Sequence, residues 1–137
     1  MKKVTSYLVI LTAITALALT ACGGSGSSLN DTSWTLTGLN GSSPIAGTTV
    51  TAQFADGQVS GQSGCNQFGG SYDASGDSLT VSALFMTEMA CLDPEGAMDQ
   101  ESTYLDLLGR AARYQIDGSQ LVITTGSGET LTFAASS

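Results

Sequence analysis

Histidine is absent from all 137 residues. A Ser-His-Asp triad, a Cys-His dyad, a zincin site and a His-ligated haem each therefore lack an essential part. Positive charge is nearly missing as well. Lys and Arg number 4 against 12 Asp and Glu, a formal charge of -8, so a phosphate backbone or an anionic bilayer surface finds nothing to attract it. Nucleic acid is not an expected partner. Charged residues of both signs reach only 12%, about half the usual share, which disfavours a long helical bundle. In their place stand 17 glycines and many Ser and Thr, a composition suited to short strands and tight turns. The length fits one domain and leaves no room for separate cofactor and substrate lobes. No cofactor is expected.

The first 21 residues read as an export signal. Lys2 and Lys3 precede an apolar run from Tyr7 to Leu19 broken only by Thr12 and Thr15, the layout of a signal peptide. A membrane-spanning helix needs about 20 apolar residues, and this run is shorter. It ends at Leu19-Thr20-Ala21-Cys22, which resembles the bacterial lipobox, whose cysteine is diacylglycerylated and becomes the new N-terminus. Cys22 is then a lipidation site, and acyl chains hold a small domain on a membrane through about 0.8 kcal/mol per buried methylene. Residues 22–28 form a flexible tether without proline or any large apolar side chain, and the folded domain occupies 29–137. Cleavage leaves Arg110 and Arg113 against the same 12 acids, a formal charge of -10. That surface keeps a tethered domain soluble or attracts a cationic partner. Gly23 after the lipidated cysteine, in place of aspartate, matches lipoproteins sorted to the outer membrane, facing the periplasm, if the cell is Gram-negative.

Setting Cys22 aside leaves Cys65 and Cys91. In an oxidising compartment a disulfide is the default for such a pair. The alternatives are a redox or soft-metal role, for example Cu(I) with Met86 or Met89, although Cys-x-x-Cys spacing, histidine and a third thiol are all missing. No metal is assigned.

From Leu29 onward the pattern is that of short strands. Trp34 and Leu36 alternate with polar neighbours and point inward together, and Gly38 to Gly47 supplies a loop. Val50, Ala52 and Phe54 alternate up to Asp56-Gly57, a hairpin turn returning through Val59. Tyr72 closes a glycine-rich segment, Asp73 to Asp77 turns the chain, and Leu79 to Val81 begins another strand. The period changes between Asp93 and Leu108, where Asp93 caps a helix starting at Pro94 and Met98, Tyr104, Leu105 and Leu108 share a face. Tyr114 to Ile116, Leu121 to Ile123 and Leu131 to Phe133 form a three-strand meander. Seven or eight strands with one helix predict a mainly β fold, a small antiparallel barrel whose closure removes aggregation-prone edges.

The segments Val59-Ser60-Gly61-Gln62-Ser63-Gly64-Cys65-Asn66-Gln67-Phe68-Gly69-Gly70-Ser71-Tyr72 and Met86-Thr87-Glu88-Met89-Ala90-Cys91 resemble the META domain, the HslJ-type family, and the likeness extends over nearly all of residues 30 to 135. Glu88 departs from the pattern, standing where the family often carries a basic residue. The resemblance implies a small, mostly β fold with one helix, a bond between the two cysteines, and frequent occurrence as bacterial envelope lipoproteins linked to stress tolerance. It implies no known enzymatic reaction.

Gly61, Gly64, Gly69 and Gly70 let the chain turn sharply around Cys65. Asn66 and Thr87 satisfy local backbone groups, and Phe68 and Tyr72 pack on the bridge. Alternatively, Asn66, Tyr72 and Thr87 line a binding mouth at one barrel end. The acids Asp73, Asp77, Asp93, Glu95, Asp99 and Glu101 lack the spacing of a calcium loop and are read as caps and solvated surface. The function expected is that of a non-enzymatic, lipid-anchored envelope domain that binds an unidentified protein or small ligand in stress tolerance. Two other readings are an anionic inhibitor of a cationic secreted hydrolase such as lysozyme, and a small-ligand-binding barrel.

Overall fold

A computed structural model describes residues 28–137. The expected signal peptide, the expected lipidation site Cys22 and the expected tether as far as residue 27 lie outside the described residues. Eight strands follow one another around a closed barrel: β1 (Thr32–Leu39), β2 (Thr51–Ala55), β3 (Gln58–Gln62), β4 (Gln67–Ser75), β5 (Ser78–Met86), β6 (Ala111–Asp117), β7 (Gln120–Thr125) and β8 (Thr130–Ala135). The single helix α1 (Ala97–Gly109) lies between β5 and β6. Each neighbouring pair is antiparallel, and β8 returns to β1 through Leu36↔Phe133. The expected barrel and its terminal meander are both present.

Alternation places the interior. Trp34, Leu36, Ala52, Phe54, Val59, Leu79, Val81, Leu121, Ile123, Leu131 and Phe133 are all buried, each flanked along its strand by less buried neighbours, as a period of two requires. The Asp56-Gly57 hairpin is as expected. Both residues have positive φ, 52° and 75°, the backbone of a type I′ turn.

Strand β5 meets β6 only through Ser78↔Arg113, and α1 packs over the opening against β5, β7 and β8. Tyr104 enters the core edge-on to Phe68 at 5.6 Å and to Phe133 at 6.4 Å, with Leu107 and Leu108 buried beside it. Such edge-to-face pairs add about 0.5–1.5 kcal/mol beyond area burial. The helix thus closes the end of the barrel from which β5 leaves.

Three local expectations need correction. The helix begins at Ala97, not Pro94, because Gly96 at φ 85° is left-handed, a conformation that cannot extend a right-handed helix. Its inward face is Ala97, Gln100, Glu101, Tyr104, Leu107 and Leu108, while Met98 and Leu105 are only half-buried. Strand β4 runs on through Asp73, which pairs with Thr80, so the turn is confined to Gly76-Asp77 between Ser75 and Ser78. Finally, only Gly64 of the four glycines near Cys65 has a positive φ, 111°. The other three belong to β3 and β4.

Candidate functional site

The inward face of α1 carries two polar residues, and each fastens a loop at the helix end of the barrel. Gln100 accepts from the Ile45 amide at 2.6 Å and donates to Thr48 Oγ1 at 2.8 Å, tying down the β1–β2 connection. Glu101, 1% exposed, receives the β3–β4 connection. Its Oε2 accepts from Ser63 Oγ at 2.6 Å, the Asn66 amide at 2.7 Å and the Cys65 amide at 3.2 Å, while Oε1 accepts from Asn66 Nδ2 at 2.7 Å. The left-handed Gly64 lets Ser63 and Asn66 close a tight turn, with the Ser63 amide donating to the Asn66 carbonyl at 2.8 Å, so that successive amides converge on one anion. Burial pushes the Glu101 carboxyl upward, but the bonds from Ser63, Asn66 and Cys65 outweigh it and hold the group below the usual carboxylate range.

Asn66, 2% exposed, passes the connection onward. Besides Glu101, its Nδ2 donates to the Met89 carbonyl at 3.1 Å, and its Oδ1 accepts from the Met89 amide at 2.7 Å and Thr87 Oγ1 at 2.8 Å. Two donors and two acceptors exhaust a carboxamide, so no hydrogen-bonding capacity of Asn66 remains for a ligand. The Cys65–Cys91 disulfide adds a covalent tie with a Cα–Cα distance of 5.9 Å, and the Cys91 amide donates to Met98 Sδ at 3.4 Å. The segment after β5 is therefore held at Thr87, Met89 and Cys91 without being a strand.

Among the described residues the exposed large apolar ones are Phe85 (69%) and Met86 (45%) at the end of β5, and Met89 (62%) and Leu92 (91%) on the segment that follows it. Phe85 pairs across the sheet with Gly69, and its ring covers that residue so closely that a Cβ there would lie 2.5 Å from Phe85 Cζ. Phe85 and Met86 are successive residues of β5 and so point to opposite sides of the sheet, Met86 on the side of its partner Phe68, while four exposed apolar residues within eight positions are more than the scattered single ones of an ordinary surface. Glu88, Asp93 and Glu95 are the exposed charges of the segment, and no Lys or Arg occurs between Lys3 and Arg110.

The anticipated site residues separate. Cys65, Cys91, Asn66 and Thr87 come together here. Phe68 instead enters the core against Tyr104, and Tyr72 packs edge-on to Phe54 at 5.1 Å with its hydroxyl 3.4 Å from Asn30 Oδ1. Tyr72 therefore does not join Asn66 and Thr87 in one mouth. The acids do not gather around an ion either: among the described residues no three His, Cys, Asp or Glu side chains form a metal-holding group. Glu101 is missing from the expected functional residues, though its place on the stripe with Tyr104 and Leu108, three and seven residues on, is a readable signal.

A shallow cleft of about 400 Å³ is lined by Asn40, Ser102, Thr103, Asp106, Leu107, Arg110 and Glu129. Its cation is already engaged, since Arg110 meets Asp106 at 2.7 Å and Glu129 at 3.1 Å. Glu129 also accepts from Ser127 and Thr125, and these bonds, with the one from Arg110, lower its carboxyl to about 2.

No curated protein matches the chain. Among solved structures, it is similar to a protein from Burkholderia xenovorans determined by NMR, at 31% identity over 80% of this chain and 84% of that one, with a TM-score of 0.67. A second NMR structure is similar at 27% identity over 77% and 90% of the two chains, with a TM-score of 0.63. Neither comparison gives any sign of catalysis. The META domain family's profile matches residues 27–137, most of the chain, and the chain belongs to the META domain family.

Proposed function

We propose that this protein is a non-enzymatic binding domain of the bacterial cell envelope, anchored through lipidated Cys22 and serving stress tolerance, which meets its partner through the segment Phe85–Leu92. One observation carries this reading: the exposed large apolar side chains of the described residues collect on a segment fixed by a disulfide and by a saturated Asn66–Glu101 pair. A preorganised backbone lowers the entropy lost on binding. The burial of Glu101 argues against catalysis, because a carboxylate 1% exposed and already accepting four hydrogen bonds is out of reach of a substrate proton.

Anchoring is tested by fractionation. Cys22→Ser, which removes the acylated thiol, is expected to move the protein from the membrane into the soluble fraction, and undiminished membrane retention overturns the anchor. A second reading, inhibition of a cationic secreted hydrolase such as lysozyme, is favoured by the acidic rim and the absence of free cations near it. Inhibition that weakens from low to physiological salt is its expected signature, and unaltered lysozyme turnover at low salt removes it.

A further inference from the structure

Hypohalous acids attack electron-rich sulfur and nitrogen: thiols, thioethers, imidazoles, amines and the indole ring. The chain withholds nearly all of these. Histidine is absent and no lysine occurs after Lys3. Cys65 and Cys91 are joined to each other, and a disulfide has no thiolate to offer. The single indole, Trp34, is 3% exposed, and its nitrogen donates to Thr32 Oγ1 at 2.8 Å. Among the described residues the thioethers remain as the open targets.

All three methionines after Met1 lie between positions 86 and 98, on either side of Cys91. Their surroundings differ. Met89 is 62% exposed and Met86 45%, so an oxidant in solution meets both. Met98 is half-buried on α1, and its Sδ accepts from the Cys91 amide at 3.4 Å. That bond engages a sulfur lone pair, and oxidation needs one. The order of reaction is therefore Met89, then Met86, with Met98 last.

The fold is also built to survive oxidation at Met89. The residue is held by its backbone, its amide donating to Asn66 Oδ1 at 2.7 Å and its carbonyl accepting from Asn66 Nδ2 at 3.1 Å, while its side chain faces water. A sulfoxide in a core disrupts packing, but an exposed one turns its new dipole to solvent. We infer that Met89, seconded by Met86, is a site of reversible oxidation at which the protein consumes hypohalous acid. The sulfur lone pair attacks the halogen, the oxygen–halogen bond breaks and hydroxide leaves. Water then displaces halide from the halosulfonium and loses two protons, giving the sulfoxide. Sulfur gives up two electrons, and the halogen takes them and departs as halide. Methionine sulfoxide reductases, one for each sulfoxide epimer, restore the thioether. Neither a lipid anchor nor a partner is required for this chemistry.

The test uses the full chain carrying Cys22→Ser, so that no thiol lies outside the bridge. The protein is titrated with hypochlorous acid up to one equivalent, quenched with excess free methionine and mapped by peptide mass spectrometry, each sulfoxide adding about 16 Da. Met89 is expected to carry about fivefold or more sulfoxide than Met98, with Met86 between them. The melting temperature stays within about 3 °C of the untreated protein's, and the two reductases return the mass to its starting value. In urea the three methionines are expected to react alike. Met86→Leu with Met89→Leu, close in volume, is expected to raise oxidation of Met98 several-fold at the same dose. Equal oxidation of all three in the folded protein overturns the site, as does attack on Trp34, a tyrosine or the bridge ahead of Met89. A preference for Met89 that persists in urea shows that the fold does not create it and overturns the structural basis. A Met89 sulfoxide that unfolds the domain, or that resists both reductases, overturns its reversibility.

Discussion

Reduction of the Cys65–Cys91 bond, or replacement of both cysteines by Ser, lowers the melting temperature by roughly 10–20 °C, because losing a closure of this size costs about 3–4 kcal/mol and a domain of this length shifts by about 4 °C or more per kcal/mol. The bond joins positions 26 residues apart, so most of its contribution lies in the freedom it denies the unfolded chain. Asn66 and Thr87 still tie the two segments in the reduced protein, and native secondary structure should survive below the new midpoint. Circular dichroism melts with and without reductant measure the effect. Intact-mass measurement must at the same time register the two hydrogens gained on reduction. Free thiols in natively isolated protein with an unchanged melt overturn the bridge's role.

Glu101→Ala is expected to cost about 3–5 kcal/mol, the range for removing one partner of a buried, charge-assisted cluster. The substitution strands the amides of Cys65 and Asn66, the Asn66 carboxamide and the Ser63 hydroxyl. Glu101→Gln keeps the volume but turns an amide toward donors, and its expected cost is about 2–3 kcal/mol. Urea unfolding gives both values, and a Gln variant as stable as the parent shows that the negative charge contributes nothing. Acidity gives a third readout. The folded-state carboxyls of Glu101 and Glu129 both titrate below their usual 4.5, so the stability they contribute is complete above that pH and is lost as pH falls through the folded values, reaching about 2 for Glu129. Melting temperature should therefore fall between about pH 4.5 and pH 2, and the Glu101→Gln variant should fall less steeply.

Both predictions concern residues that were unequally visible in the sequence. The barrel was legible because each strand solves the same local problem: Trp34 and Leu36, Val50 to Phe54, and Leu121 to Phe133 alternate with a period of two between Gly-containing turns. The disulfide is legible in the two cysteines left once Cys22 is set aside. Glu101 was hidden because an acidic residue in the first turns of a helix has an adequate local explanation in the macrodipole. Its true partners, Ser63 to Asn66, lie 35 to 38 positions away. The helix start was misplaced for a related reason. Asp-Pro is a good capping signal, but Gly96 in its left-handed conformation overrides it. Tyr72 lies in β4 and Thr87 just past the end of β5, yet β4 is nine residues long, enough to carry Tyr72 away from the end that Asn66 occupies.

Because the start of β1 pairs with the end of β8, Trp34 opposite Ala135, anything fused ahead of β1 or after β8 hangs on the same flank of the molecule. A reporter appended after Ser137 leaves the methionine-bearing end unencumbered, and tandem copies joined head to tail by short linkers can display several such ends in parallel. Insertion of a foreign peptide between Gly118 and Ser119 is likewise remote from the sulfur bridge, which makes that turn the natural place to build on this scaffold.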